Sequence, residues 1–149
     1  MRVTAKKEKE MLEHLESIVD RYVLTKDNPN LEACRKGEVR IIEILGKHGP
    51  LTMTDVAERA GLSVSTITSV MDNLVEKKLV KRERSEKDRR VVWVELMPEG
   101  RQIYEQVTEV HLSMVRGMLN SLNKEEQDML IGLFRKIALR IEREKSVLV

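Results

Sequence analysis

Aromatic side chains are scarce in this chain: one Trp, two Tyr and one Phe make up 3% of 149 residues. A ligand pocket that worked by ring stacking would therefore rest on very few side chains. Cysteine occurs once, at Cys34, which excludes an internal disulfide and suits a reducing compartment. No stretch approaches the ~20 apolar residues that a membrane span needs. The start, Met1-Arg2-Val3-Thr4-Ala5-Lys6-Lys7-Glu8, lacks the apolar core of a secretory signal, so a cytoplasmic protein is expected. There is no glycine-rich phosphate loop, low-complexity tract or internal repeat. His14, His48 and His111 lie on separate segments with no neighbouring ligand at helical spacing, which argues against a metal site. No Ser/His/Asp set or carboxylate pair has supporting context, so neither an enzyme nor a cofactor is expected.

What is present is a patterned segment from Thr52 to Gly100. Its first part reads Thr52-Met53-Thr54-Asp55-Val56-Ala57-Glu58-Arg59-Ala60-Gly61-Leu62-Ser63 and continues through Val70. Thr52 is placed to cap a short helix, with Asp55 near its positive end. Ala57 is small enough for a second helix to cross close over it. Gly61 falls where the turn between the helices requires positive φ. Ser63 is placed to cap the second helix, and Ile67, Val70 and Leu74 form its inward stripe, with Met71 beside them. Two helices joined by a short glycine turn can seat the second one in a DNA major groove. The outward face of that helix carries Ser65, Thr66, Thr68, Ser69, Asp72 and Asn73. Solvated helix faces are usually rich in Glu, Lys and Arg, and four Ser/Thr lower helix propensity without a packing gain. Short hydrogen-bonding side chains suit base edges approached closely, so Ser65, Thr66, Thr68, Ser69 and Asn73 are the major-groove candidates.

A charged hairpin follows. Val91-Val92-Trp93-Val94-Glu95-Leu96 has the β-branched and aromatic content of a strand, and Leu79-Val80-Lys81-Arg82-Glu83-Arg84 is its expected partner. From Glu76 to Arg90 there are eight Lys/Arg and four Asp/Glu, a net of +4; the whole chain is +2, so the remainder sums to −2. The positive charge is local, as at an electrostatic footprint for nucleic acid. At the tip stands Asp88-Arg89-Arg90. An Arg there can enter the minor groove, and a carboxylate two residues earlier can hold its guanidinium in a fork. Arg90 is thus the minor-groove candidate with Asp88 as its orienting partner, while Arg84, Lys87 and Arg89 suit phosphates.

Both chain ends carry amphipathic helices. Met11, Leu12, Leu15, Ile18, Val19, Tyr22 and Val23 form one apolar stripe. Ile103, Val107, Val110, Met114, Met118 and Leu122 form another, on a long helix starting near Pro98. Asn123 with Glu126 reads as a capping box for a last helix that buries Leu130, Leu133, Phe134, Ile137 and Ile141. Cys34 to Lys47 reads as a linking helix with Val39, Ile41, Ile42, Ile44 and Leu45 inward, and Asp27-Asn28-Pro29-Asn30 as the turn before it. The expected fold is mainly α with a small β-hairpin wing. Residues 1–30 form an N-terminal dimerisation helix, 31–97 a winged helix-turn-helix domain, and 98–149 C-terminal dimerisation helices. A twofold dimer would set two recognition helices about 34 Å apart, for two successive major grooves.

The ordered set of motifs resembles the MarR family of winged-helix transcriptional regulators along most of the chain. The resemblance is carried by Leu51-Thr52 leading into Val56-Ala57, and by Leu62-Ser63-x-Ser65-Thr66-Ile67-Thr68. It continues through Asp72-x-Leu74, Leu79-Val80, Asp88-Arg89-Arg90, Leu96-x-Pro98-Glu99-Gly100 and Leu122-Asn123-x-Glu125-Glu126. It implies a homodimer, expected to be a repressor, on a pseudo-palindromic operator in double-stranded DNA. It also implies release by a small aromatic or phenolic ligand or by an oxidant. His14, Tyr22 and Arg40 are the ligand candidates, and no ligand is assigned. Cys34, beside Arg35 and Lys36, is the residue of an alternative redox-sensor reading; a winged-helix interaction module without DNA binding is another. Two positions depart from the family pattern. Lys78 stands where the family usually has Gly, so the recognition helix is expected to end differently, and Met97 replaces the usual Thr before Pro98.

Overall fold

Apolar residues spaced three and four apart become helix along most of the chain. The computed structural model describes residues 3–23 and 33–147. The expected Asp27–Asn30 turn lies outside the described residues. In chain order the elements are α1 (Ala5–Val23), α2 (Lys36–His48), β1 (Leu51–Thr52), α3 (Met53–Ala60), α4 (Val64–Glu76), β2 (Val80–Arg84), β3 (Val92–Leu96), α5 (Pro98–Asn120) and α6 (Lys124–Val147). The chain forms two compact units, Met1–His111 and Leu112–Val149.

The core of the first unit is where the sequence placed it. Ile41, Ile42, Ile44 and Leu45 of α2 are buried with Val56 and Ala57 of α3 and Ile67, Met71 and Leu74 of α4. Leu79, Val80, Val94, Ile103 and Val107 complete it. Each fully buried aliphatic side chain contributes about 1.5–3 kcal/mol of transfer free energy, so this cluster is what fixes α4. Val39 and Val70 pack on its margin, half-buried.

The sheet has three antiparallel strands in the order β1-β3-β2. The hairpin pairs Val80 with Leu96, Arg82 with Val94 and Arg84 with Val92. The third strand, β1, pairs Leu51 with Val94 and Thr52 with Trp93. Sequence reading missed it, because two residues are too short to show a period of two.

Both departures from the family pattern have clear outcomes. Lys78 adopts φ 59°, and the Leu79 N–H donates to the Leu74 carbonyl at 2.9 Å. Helix α4 therefore closes through a left-handed residue, as a glycine would close it, at a backbone cost of about 1 kcal/mol. The expectation of a different ending is corrected: the hydrophobic anchors Leu74 and Leu79 dictate the turn, and the lysine follows. Helix α5 does begin at Pro98. Met97 supplies no side-chain oxygen, but its carbonyl accepts from Arg101 N–H at 2.9 Å. Gly100 is required here, since a Cβ would lie 2.1 Å from the Leu79 carbonyl oxygen.

In the second unit the Asn123 capping box forms: Glu126 N–H donates to Asn123 Oδ1 at 3.0 Å and Asn123 N–H to Glu126 Oε2 at 2.9 Å. Met114, Val115, Met118, Leu119, Leu130, Ile131 and Phe134 line an apolar groove of about 270 Å³ between the α5 end and α6. Leu133, Phe134, Ile137 and Ile141, expected to be buried, are exposed in the single chain.

Candidate nucleic-acid interface

The helix-turn-helix is held by the caps its sequence announced. Thr52 Oγ1 accepts from Asp55 N–H at 3.1 Å. Gly61 sits in the left-handed region at φ 68°. Ser63 Oγ accepts from Thr66 N–H at 3.2 Å. With Ile67, Met71 and Leu74 buried beneath, α4 turns Ser65, Thr66 and Ser69 to solvent, while Thr68 and Asn73 are half-buried beside them. The hydroxyls are partly ordered in advance. Ser63 Oγ lies 3.0 Å from Ser65 Oγ and 2.9 Å from Thr66 Oγ1. Thr68 Oγ1 donates to the Val64 carbonyl at 2.8 Å, so its remaining capacity is as an acceptor.

In the wing, Ser85 N–H donates to the Val91 carbonyl at 2.9 Å, closing the loop, and Val91 N–H to the Asp88 carbonyl at 3.0 Å. Asp88 Oδ1 accepts from the backbone N–H of Arg90 at 3.0 Å. The carboxylate thus shapes the turn that presents Arg90, in place of the side-chain fork expected from the sequence. A backbone N–H two residues on is the nearest donor to an Asp in such a turn. Arg84, Lys87, Arg89 and Arg90 are all exposed. A groove of about 400 Å³ runs between helix and wing, lined by Thr52, Thr54, Thr68, Arg82 and Arg90 among others.

Three ion-pair systems of this region were not legible in the sequence. Arg82 meets Asp72 of α4 at 2.6 Å. Lys81, on the opposite face of the hairpin, contacts Glu95 and Glu83, and these hydrogen bonds raise its pKa. Glu38 is 1% exposed, yet its Oε2 accepts from Arg35 N–H at 2.9 Å and Lys77 Nζ at 2.7 Å. Burial pushes the Glu38 carboxyl up, but the Lys77 ammonium and the Arg35 N–H outweigh it and hold the pKa below its ordinary value. Lys77 also donates to the Ala33 carbonyl at 2.9 Å, tying the entry to α2 to the end of α4.

Cys34 lies before the N-cap of α2, half-buried. Burial raises its pKa, against the lowering effect of Lys77. The thiolate is thus disfavoured, opposite to what a reactive sensor needs. Among the described residues, no group of three or more His, Cys, Asp or Glu is placed to hold a metal ion. No described helix is long and apolar enough to cross a membrane. His14 and Arg40 are exposed and line none of the grooves described above; the Tyr22 side chain lies outside the described residues.

The family model described as the MarR family matches residues 36–92, from the start of α2 to the start of β3. YwhA of Bacillus subtilis (strain 168), described as an uncharacterized HTH-type transcriptional regulator, is 32% identical over 98 residues, 66% of this chain and 70% of that protein. The chain belongs to the MarR family. A second relative, the HTH-type transcriptional repressor MdtR of Bacillus subtilis (strain 168), is 30% identical over 106 residues, 71% of this chain and 68% of its own length. The structure of Streptococcus pneumoniae FabT, solved in complex with DNA, superposes with a TM-score of 0.75 at 28% identity. It covers 91% of this chain and 98% of FabT. MarR membership makes the chain a winged-helix transcriptional regulator, not an enzyme.

Proposed function

We propose that this MarR-family regulator works as a homodimer that binds a pseudo-palindromic operator in double-stranded DNA, one winged helix per half-site, and represses transcription. One observation carries the reading: the free face of α4 holds short hydroxyl and amide side chains, and a hairpin with an exposed cationic tip stands beside it. Ser65, Thr66, Thr68, Ser69 and Asn73 face the major groove. Arg90 enters the minor groove on a turn fixed by Asp88. Arg84, Lys87 and Arg89 meet phosphates. FabT, bound to DNA, supports the DNA reading, and the name of MdtR supports repression.

The dimer reading rests on apolar surface. Met11, Leu12, Leu15 and Val19 of α1, and Met129, Leu133, Phe134, Ile137 and Ile141 of α6, are exposed in the single chain. An exposed apolar stripe along one helix, as each of these is, marks an interaction face. Residues 1–30 and 98–149 are the proposed dimerisation segments, and 31–97 the DNA-reading domain. The proposal includes no ligand site, because His14 and Arg40 line none of the described grooves. A ligand that released DNA would have to bind the released spacing of the recognition helices more tightly than the DNA-bound one.

The test is selection of random duplex DNA by the purified protein, followed by affinity against salt. An enriched palindrome with half-sites about one helical turn apart, and log affinity falling steeply with log salt, is the expected result. Weak, sequence-blind binding would overturn it in favour of an interaction module.

A further inference from the structure

The hairpin meets α4 through one directed contact that the reading above does not use. Arg82 is opposite Val94 in the β2–β3 register, and Val94 is buried, so Arg82 emerges on the face of the sheet turned toward the helices. Its guanidinium meets Asp72 Oδ1 at 2.6 Å. The side chains are 33% and 55% exposed, so the pair sits at the surface seam between helix and wing rather than in the core. Lys81 is engaged on the other face by Glu95 and Glu83. The hairpin is therefore joined to α4 on one face and braced between its own strands on the other, while the cations of its tip stand exposed.

We propose that Asp72 and Arg82 form a latch that sets the spacing between the recognition helix and the wing, and so are positioning residues for simultaneous reading of two grooves. The inference rests on the DNA reading of these two elements. Two physical consequences support it. Asp72 would otherwise place a bare carboxylate on a face that must approach phosphates, and the pair neutralises it. Arg82 is held by a charge-assisted hydrogen bond with fixed geometry, so its role differs from that of Arg84, Arg89 and Arg90, which are free to meet DNA. An Arg held to a helix restrains β2, the edge strand that among the described residues has only β3 as a ladder partner.

The variants are Asp72→Asn, which keeps shape and removes charge, and the reversal Asp72→Arg with Arg82→Asp. Spacing is read without DNA from nitroxide labels at Glu76→Cys and Glu86→Cys in a Cys34→Ser chain, diluted with unlabelled protein. The distance distribution is narrow in the parent, broader in Asp72→Asn, and narrow again in the reversal. On selected DNA, Asp72→Asn weakens binding about five-fold per winged helix, the scale of one half-exposed ion pair. The loss caused by Arg90→Ala shrinks in the Asp72→Asn background, because a wing already misplaced has less to lose. A merely structural pair would leave that coupling at zero. An unchanged distance distribution overturns the latch whatever the DNA result. If the parent selects no duplex, the DNA reading fails, and the label distances alone then decide the latch.

Discussion

The winged-helix core and the terminal helices are built from the same kinds of residue but meet opposite fates. Ile42, Ile67, Met71 and Leu74 are 0% exposed, whereas Met129 is 66%, Met11 57% and Phe134 51% exposed. The first region closes its own core from four helices and a sheet within a stretch of the chain. The second has amphipathic helices whose apolar faces the single chain leaves open. One region buries its apolar residues by itself and the other leaves them exposed. In the proposed dimer that division has a use: a self-contained reader can stay rigid while the interface sets the spacing.

The comparison can be broken most forcefully in the core. Leu74→Ala removes a fully buried anchor of α4 and should cost about 2–5 kcal/mol, read as a fall in the chemical-denaturation midpoint. A loss below that range would mean that the core is not close-packed. Phe134→Ala should behave differently, lowering stability mainly at low protein concentration, if the proposed second copy covers it. A concentration-independent loss would place Phe134 in an intramolecular core instead.

Glu38→Gln should cost about 1–3 kcal/mol, since a buried acceptor for Lys77 is weakened. The pH dependence follows from the sign of the shift. A carboxyl with a lowered folded pKa contributes stability above its unfolded value, about 4.3, and loses it as pH falls through the lower folded value. Acid titration of stability should therefore be shallower in Glu38→Gln than in the parent below about pH 4. Equal slopes would remove Glu38 from the account. The next effect in size lies at the reader's surface. Arg90→Ala should weaken operator binding about ten-fold, about 1.4 kcal/mol, with an unchanged melting curve. Full affinity would deny Arg90 the minor groove. Smallest is Lys78→Gly, which relieves a left-handed lysine and should stabilise the protein by up to about 1 kcal/mol.

Sequence reading succeeded where the determinant is local. Thr52, Gly61, Ser63 and the Asn123–Glu126 pair act within three or four residues of their partners, so spacing alone revealed them. The buried stripes of α2 and α4 were legible for the same reason. What stayed hidden depends on distant residues. Lys77 meets Glu38 across 39 positions, β1 pairs with β3 across the whole helix-turn-helix, and Arg82 finds Asp72 only once the hairpin folds back. Asp88 illustrates a finer limit: its position was legible, but whether it bonds a guanidinium or a backbone N–H is set by turn geometry. Lys78 shows the converse, a local rule overridden because Leu74 and Leu79 must both reach the core.

The contrast between a closed core and an open interface is tested most directly by sedimentation equilibrium across protein concentration. The account predicts a species of twice the 17.3 kDa chain mass, dissociating when Phe134 and Ile137 are both changed to Asp while the winged-helix core stays folded. A parent protein that remains at 17.3 kDa at every concentration, with its terminal helices fully formed, would contradict it.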